Sequence, residues 1–369
     1  SGMSSLSVLG ADSLLSRHLI SLLFSSQSPL LNLPDQIRLW SKEEIEDRPA
    51  LDSIPSSSLV FLHGFDRLEE AIEGAEIVIN CHEYVDWSIL PNKERLRREN
   101  VDVPLRLLSI ISPTARLIHL SSTFVQSWAR WPNIFGKEQR AADYESGWPF
   151  KEYCASRVEA ESVILGREGP TLVVRVPPLY GEGDMNSPVT DIIKMSSLFS
   201  STIPFIGDGC GCTQFSYAGN VSAGVLRAIS HCPTKIEDES DLGRIVIIGD
   251  ETPINNTYTT VLPMVQNGKL RISSLKIPFF LLFIPYFIFS FFIRLFSKFF
   301  DIPASIRKLP DPWMMYFFFH HWTFFCSFKA RFFLNHIDLY TKEDALIRSS
   351  AYYRKLNPSD IVQYSWEGH

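Results

Sequence analysis

Short apolar runs alternate with amphipathic stretches through the first half of the chain. Leu6-Ser-Val-Leu9 ends in Gly10 and reads as a first strand. The runs QIRLW (36–40), SLVFL (58–62), EIVIN (76–80), RLIHLSS (116–122) and TLVVRV (171–176) read as five more. Between them lie helical patterns such as RLEEAIEGA (67–75), with Gly74 near its end. The apolar stretch from Leu14 to Phe24 carries Arg17 and His18, so it suits a first helix better than a secretory signal. Six strands in βα order predict an α/β fold with a Rossmann-like, doubly wound parallel sheet. Ligands of such sheets lie beyond the carboxyl ends of the strands. Gly10, Ser121, Ser122 and Arg175 fall there on topology alone.

The pattern changes near residue 200. Residues 1–200 are expected to form the Rossmann-like domain, and 201–369 a smaller mixed α/β substrate region with a membrane-associated segment at 277–300. From Ile277 to Ile293 no residue is charged; Pro278 and Pro285 interrupt the run, and Arg294, Lys298, Arg307 and Lys308 follow it. A buried helix pair, a single bilayer span and a helix lying in the membrane interface all fit this length. The basic flank and the all-round apolar character favour the interfacial helix. A second aromatic run, Trp313 to Phe328, is expected to be core or substrate-cap material.

Composition narrows the classes. With 21% charged residues and a net charge of −6 over 369 residues, nucleic acid is not an expected partner. The six cysteines have no framework spacing, and Cys210-Gly-Cys212 lacks a second pair, so neither disulfides nor a metal are expected. Reduced cysteines suit a cytosol-facing protein. Asn220-Val-Ser222 and Asn255-Asn-Thr257 match the short glycosylation pattern, a weak signal. Ser1-Gly2 ahead of Met3 has the look of a cloning remnant.

The chemistry concentrates in YCASRVEAE (153–161), where Tyr153 and Arg157 share a helix face. Together with Ser121-Ser122 they resemble the extended short-chain dehydrogenase/reductases. RVPPLYGEGD (175–184), IGDG with FSYAGNVSAG, ENVDVPLRLL and SFKARFFL resemble further landmarks in the same order. The aromatic segment before the last of these resembles the insertion of 3β-hydroxysteroid dehydrogenase/isomerases.

That resemblance implies an NAD(P)-dependent oxidoreductase acting on a sterol-like apolar alcohol or ketone. Tyr153 would exchange the proton, Ser122 would hydrogen-bond the reacting oxygen, and Arg157 would supply the charge that lowers the phenol. A free phenol titrates at about pH 10. A cation about 4 Å away is worth roughly 4 kcal/mol at an effective dielectric of about 20. Arg157 stands where the family carries lysine, and a planar guanidinium does not imitate an ammonium against a ribose.

The implied cofactor residues are Gly10, Ser13, Ser16, Ser41, Lys42 and Pro177. VLGADSLLS keeps Gly10 of the family's three-glycine turn, with Ser13 and Ser16 at the other two places, and Asp12 puts a negative charge beside the phosphates. Ser41-Lys42 replaces the ribose-binding acid and tilts the expectation from NAD to NADP. His82 and Glu83, in place of small residues, read as satisfied polar groups at the sheet edge. Expected partners are an apolar sterol or lipid substrate, a membrane surface and a second copy in a homodimer. The expected address is the endoplasmic reticulum or another intracellular membrane, facing the cytosol. The alternative is a catalytically impaired member that binds lipid or acts as a scaffold.

Overall fold

The computed structural model describes residues 5–30, 32–44, 59–198, 200–233, 241–265 and 270–356. Ser1-Gly2 and Ser58, the first residue of the expected third strand, lie outside them. The main sheet holds β1 (Ser5–Leu9), β2 (Gln36–Ser41), β3 (Leu59–His63), β4 (Ile77–Asn80), β5 (Arg116–Ser122), β6 (Thr171–Val176) and β7 (Ile245–Ile247). Its order is β7-β6-β5-β4-β1-β2-β3, with every neighbouring pair parallel. The reversal between β1 and β4 is the switch point of a doubly wound fold.

Side-chain alternation builds the two faces. Leu6 and Val8 of β1, and Leu172 and Val174 of β6, enter one core layer. Leu9 and Val173 enter the other. Period-2 geometry requires that split, and each fully buried aliphatic side chain contributes about 1.5–3 kcal/mol. The first layer is closed by α1 (Leu14–Leu23) and α6 (Ala218–Ala228), joined where the Ser222 hydroxyl donates to the Leu15 carbonyl at 3.2 Å. The second is closed by α2 (Leu68–Ile72), α4 (Val103–Ile110) and α5 (Lys151–Leu165). A short α3 (Lys93–Arg97) precedes α4.

The sheet has seven strands, one more than the sequence pattern predicts. β7 comes from beyond residue 200 and pairs Ile245 with Val173. Because α6 and β7 return to the sheet, the later part of the chain is continuous with the Rossmann core.

The aromatic-rich tail divides sharply. In α7 (Phe279–Phe296) only Phe279 and Ser290 of 18 residues are buried, so this segment is not a core helix. Phe280, Leu281, Phe291, Phe299 and Phe300 are all more than half exposed. In α8 (Pro312–Phe319), by contrast, Phe317 and Phe318 are buried. That helix starts cleanly: Asp311 caps it by accepting from the Trp313 amide at 2.9 Å, and Pro312 takes the first turn, where no N–H is needed.

Candidate active site

The β1–α1 turn depends on Gly10. Its φ is +74°, and a Cβ there would lie 2.6 Å from the backbone of His82 at the end of β4. Only glycine combines that left-handed geometry with so close an approach. Ser13 is the N-cap of α1: its hydroxyl accepts from the Ser16 amide at 3.2 Å and donates to the Ser16 hydroxyl at 2.9 Å. The two serines at the glycine positions thus bond to each other at the helix start.

The structure brings Tyr153, Arg157 and Ser122 to the same edge. Tyr153 is 2% exposed on α5 and donates to the Glu83 carboxylate. Burial first, and then the Glu83 charge, hold its phenol well above the ordinary value, against an opposing pull from Arg157. Arg157 is 1% exposed and donates through Nη2 to the Leu120 carbonyl. Its Nε lies 3.9 Å from Glu83, while Nε and Nη1 have no hydrogen-bond partner among the described residues. Ser122 ends β5 and accepts from the Phe124 amide at 3.2 Å, capping a short turn. Its neighbour Ser121 has a buried hydroxyl without a partner among the described residues. Pro177 follows β6 at the same edge of the sheet.

Glu83 is the residue that sequence reading missed. It reads as an edge polar group, yet it sits against the phenol. Its loop is pinned by Asn100, which accepts from the Tyr84 amide at 2.8 Å. The same side chain donates to the Tyr84 carbonyl and to the Ser156 hydroxyl on α5, both at 3.0 Å.

At the end of β2 the two residues expected beside a 2′-phosphate also have partners within the chain. Lys42 Nζ lies 3.4 Å from Glu99 and 3.3 Å from Glu43. The Ser41 hydroxyl donates to the Glu43 carbonyl at 2.5 Å. His82 points inward, edge-on to Trp40 and Phe65, and burial holds its imidazole down to about 4.

Around the phenol the packing is aromatic. Trp87 stacks on Phe150 at 5.0 Å and stands edge-on to Tyr153 at 6.0 Å, with Phe124 and Phe318 closing the cluster. The expectation that the second aromatic run is core or cap material therefore holds for α8. A separate cavity of about 360 Å³ is bounded by Phe205, Asp208, Asn256 and Tyr258, none of them a candidate site residue.

The fold implies a dinucleotide, and among the described residues the site holds buried groups without partners. Arg157 Nε and Nη1 are buried donors at the end of β5, and Ser121 Oγ is a third buried group beside them. Leaving such groups unbonded costs about 1–3 kcal/mol each, and ribose hydroxyls supply acceptors for them. The donor set fits the nicotinamide ribose of NAD(P)(H), with Arg157 and Ser121 as the residues that would hold it and the Gly10 turn in the place of the pyrophosphate loop.

Comparison with known proteins agrees with the fold. The fold resembles that of a dTDP-glucose 4,6-dehydratase from Bacillus anthracis in complex with NAD, at 12% identity and a TM-score of 0.61, covering 95% of this chain and 97% of that one. It also resembles a UDP-glucuronic acid 4-epimerase from Bacillus cereus in complex with UDP-glucuronic acid and NAD, at 14% identity and TM-score 0.61, covering 96% and 100%. An epimerase from Methanothermobacter thermautotrophicus matches at 12% identity and TM-score 0.65, over 98% and 95%. At these identities the likeness is one of fold. No curated protein matches the sequence. A family model matches residues 7–278, about three quarters of the chain: the protein belongs to the 3-beta hydroxysteroid dehydrogenase/isomerase family, within the extended short-chain dehydrogenase/reductases.

Proposed function

We propose that the chain is an NAD-dependent oxidoreductase that reduces an apolar, sterol-like ketone at a membrane surface, with Tyr153 as proton donor. The observation that carries this reading is the Tyr153–Glu83 pair beside the half-bonded Arg157 guanidinium. NADH, when bound, supplies the hydride.

The remaining chemistry belongs to the chain's own side chains. A phenol held well above its ordinary value keeps its proton at neutral pH. It therefore suits donation to a developing alkoxide better than abstraction from an alcohol. Arg157 places positive charge beside the phenolate that donation leaves. Glu83, 28% exposed, links the phenol to solvent, the source of the returning proton. Ser122 accepts from the Phe124 amide and has its own hydrogen to donate to the substrate oxygen. The rings of Trp87, Phe124, Phe150 and Phe318 favour a flat apolar substrate.

The exposed apolar surface of α7 supports docking in a membrane interface. Arg294 cannot serve as a free headgroup contact, because it pairs with Asp311 and donates to the Ile89 carbonyl at 3.2 Å. Lys298 and Arg307 are the cations we assign to the lipid headgroups. The unpaired cysteines are consistent with a cytosol-facing protein on an intracellular membrane, such as the endoplasmic reticulum.

A second reading, a non-turnover lipid-binding or scaffold protein, is favoured by the Tyr153 hydroxyl already being bonded to Glu83 beneath closely packed rings. Titration with NADH, followed by nicotinamide fluorescence, separates the two. Micromolar binding supports the oxidoreductase; absence of binding at millimolar NADH removes it and leaves the second reading.

A further inference from the structure

Arg294 is the first charged residue after the uncharged run of α7. It follows Ser290, one of the two buried residues of that helix, by one turn on the same face. Its Nη2 donates to the Asp311 carboxylate, and its Nε to the Ile89 carbonyl at 3.2 Å. Asp311 is 8% exposed, and a carboxylate so buried requires a paired cation. One guanidinium thus joins the last turn of α7, the start of α8 and the loop that follows β4, a three-way junction suited to a rigid fork of donors.

The two segments that Arg294 bridges also pair with each other. The Ile89 amide donates to the Leu309 carbonyl at 2.8 Å and the Asp311 amide to the Trp87 carbonyl at 2.7 Å, around an antiparallel bridge between Ser88 and Pro310. Tyr286 of α7 donates to the Pro310 carbonyl at 2.5 Å. Within the loop, Asp86 accepts from the Tyr84 hydroxyl at 3.2 Å, the Ser88 amide at 3.1 Å and the Asn92 amide at 2.7 Å. This stitched loop begins at Glu83, on the Tyr153 phenol, and runs through Trp87, whose ring stands edge-on to the same phenol.

We propose that Arg294 is a positioning residue for the Glu83–Tyr153 pair: by clamping the far end of this loop to α7 and Asp311, it holds the Glu83 carboxylate on the phenol. This rests on the reading of Tyr153 as proton donor. Asn100 secures the loop at Tyr84, and Arg294 secures it at Ile89. The exposed apolar helix α7 thereby reaches the proton donor through one side chain. The contact has no local sequence signal, because 205 positions separate Arg294 from Ile89.

The test is the Tyr153 titration, read by ultraviolet difference against Tyr153→Phe, in the full chain, Arg294→Gln, Glu83→Gln and the double variant. Arg157 and Cys154, the other groups facing the phenol, are unchanged in all of them. Glu83 raises the phenol, so releasing it should shift the midpoint downward in Arg294→Gln, by at least roughly threefold in proton affinity. The double variant should fall no lower than Glu83→Gln alone. Loss of a cation acting through space predicts the opposite sign. The Arg294 side chain is 41% exposed, so Arg294→Gln is expected to fold. Where it does not, Arg294→Lys, which keeps the charge without the fork, should shift the midpoint the same way. An unchanged or rising midpoint, or shifts that add in the double variant, overturns the inference. NADH titration of the same proteins keeps the two readings apart. Absence of NADH binding by the wild type removes the oxidoreductase reading, whereas retained binding with an unmoved phenol in Arg294→Gln removes only the clamp.

Discussion

The Tyr153 hydroxyl donates to the Glu83 carboxylate across 70 positions of the chain. The acid that sets the phenol's proton affinity is therefore carried by the loop after β4, not by α5. Glu83 raises the phenol through both its charge and its hydrogen bond, in addition to burial. We expect Glu83→Gln to bring the Tyr153 titration downward, with wild-type Tyr153 remaining protonated well into the alkaline range. Ultraviolet difference titration against Tyr153→Phe reads this directly. An unchanged curve in Glu83→Gln would mean that burial alone sets the phenol.

Acid should destabilise the fold through its buried histidines. His82 and His321 are each held down to about 4, in both cases by burial first. The unfolded chain binds their protons from about pH 6.5 downward, so stability present above that pH is lost as pH falls toward 4. The full effect is about 3 kcal/mol per histidine. Asp184 acts with the opposite sign: burial raises it to about 6, so its contribution declines as pH rises from 3.8 through 6. Burial also holds down His18 and His119 and pushes up Asp12, Asp191, Asp250 and Asp311; between pH 7 and pH 5 the histidines carry the larger change, because their unfolded value of about 6.5 lies inside that window. Urea midpoints are expected to fall between pH 7 and pH 5, less steeply in His321→Gln; equal slopes would refute the assignment.

Gly10 and Gly74 offer a matched comparison. Both have positive φ, +74° and +69°, but a Cβ meets the His82 backbone at 2.6 Å in the first case and nothing within 4 Å in the second. Gly74→Ala should cost about 1 kcal/mol from backbone strain alone. Gly10→Ala should cost at least about 3 kcal/mol, because the β4 end must also move. Similar losses in urea denaturation would show that the close approach relaxes freely.

The α7 surface should act independently of the core. Replacing Phe280, Leu281, Phe291 and Phe292, which are 46–69% exposed, with serine is expected to lower sedimentation with lipid vesicles at least tenfold. The thermal midpoint should barely move, since none of the four is buried. Wild-type protein that ignores both neutral and anionic vesicles would end the membrane reading.

Much of the fold is legible in the sequence because parallel strands announce themselves as short apolar runs. β5 and β6 match their predicted bounds residue for residue. RIVIIGDETPI (244–254) reads as a strand with a turn, but its place in the main sheet escaped, because β7 has three residues and joins the sheet far from the other strands in sequence. The placement of Tyr153 and Arg157 on one helix and of Ser122 at a strand end was legible for a similar reason: helical spacing and a strand end are local signals. Glu83 and Glu99 were not, since each acts on a residue from a different segment. Lys42 shows the consequence. Beside Ser41 it reads as a phosphate ligand, and only the fold reveals the carboxylate that holds it.

The most direct measurement is NADH oxidation by the purified protein on lipid vesicles carrying a steroid ketone, for wild type and Tyr153→Phe. The account expects ketone-dependent oxidation in the wild type and a loss of at least a hundredfold in Tyr153→Phe, with NADH binding retained. Equal rates in the two proteins, or NADH binding without ketone-dependent oxidation in the wild type, would contradict it.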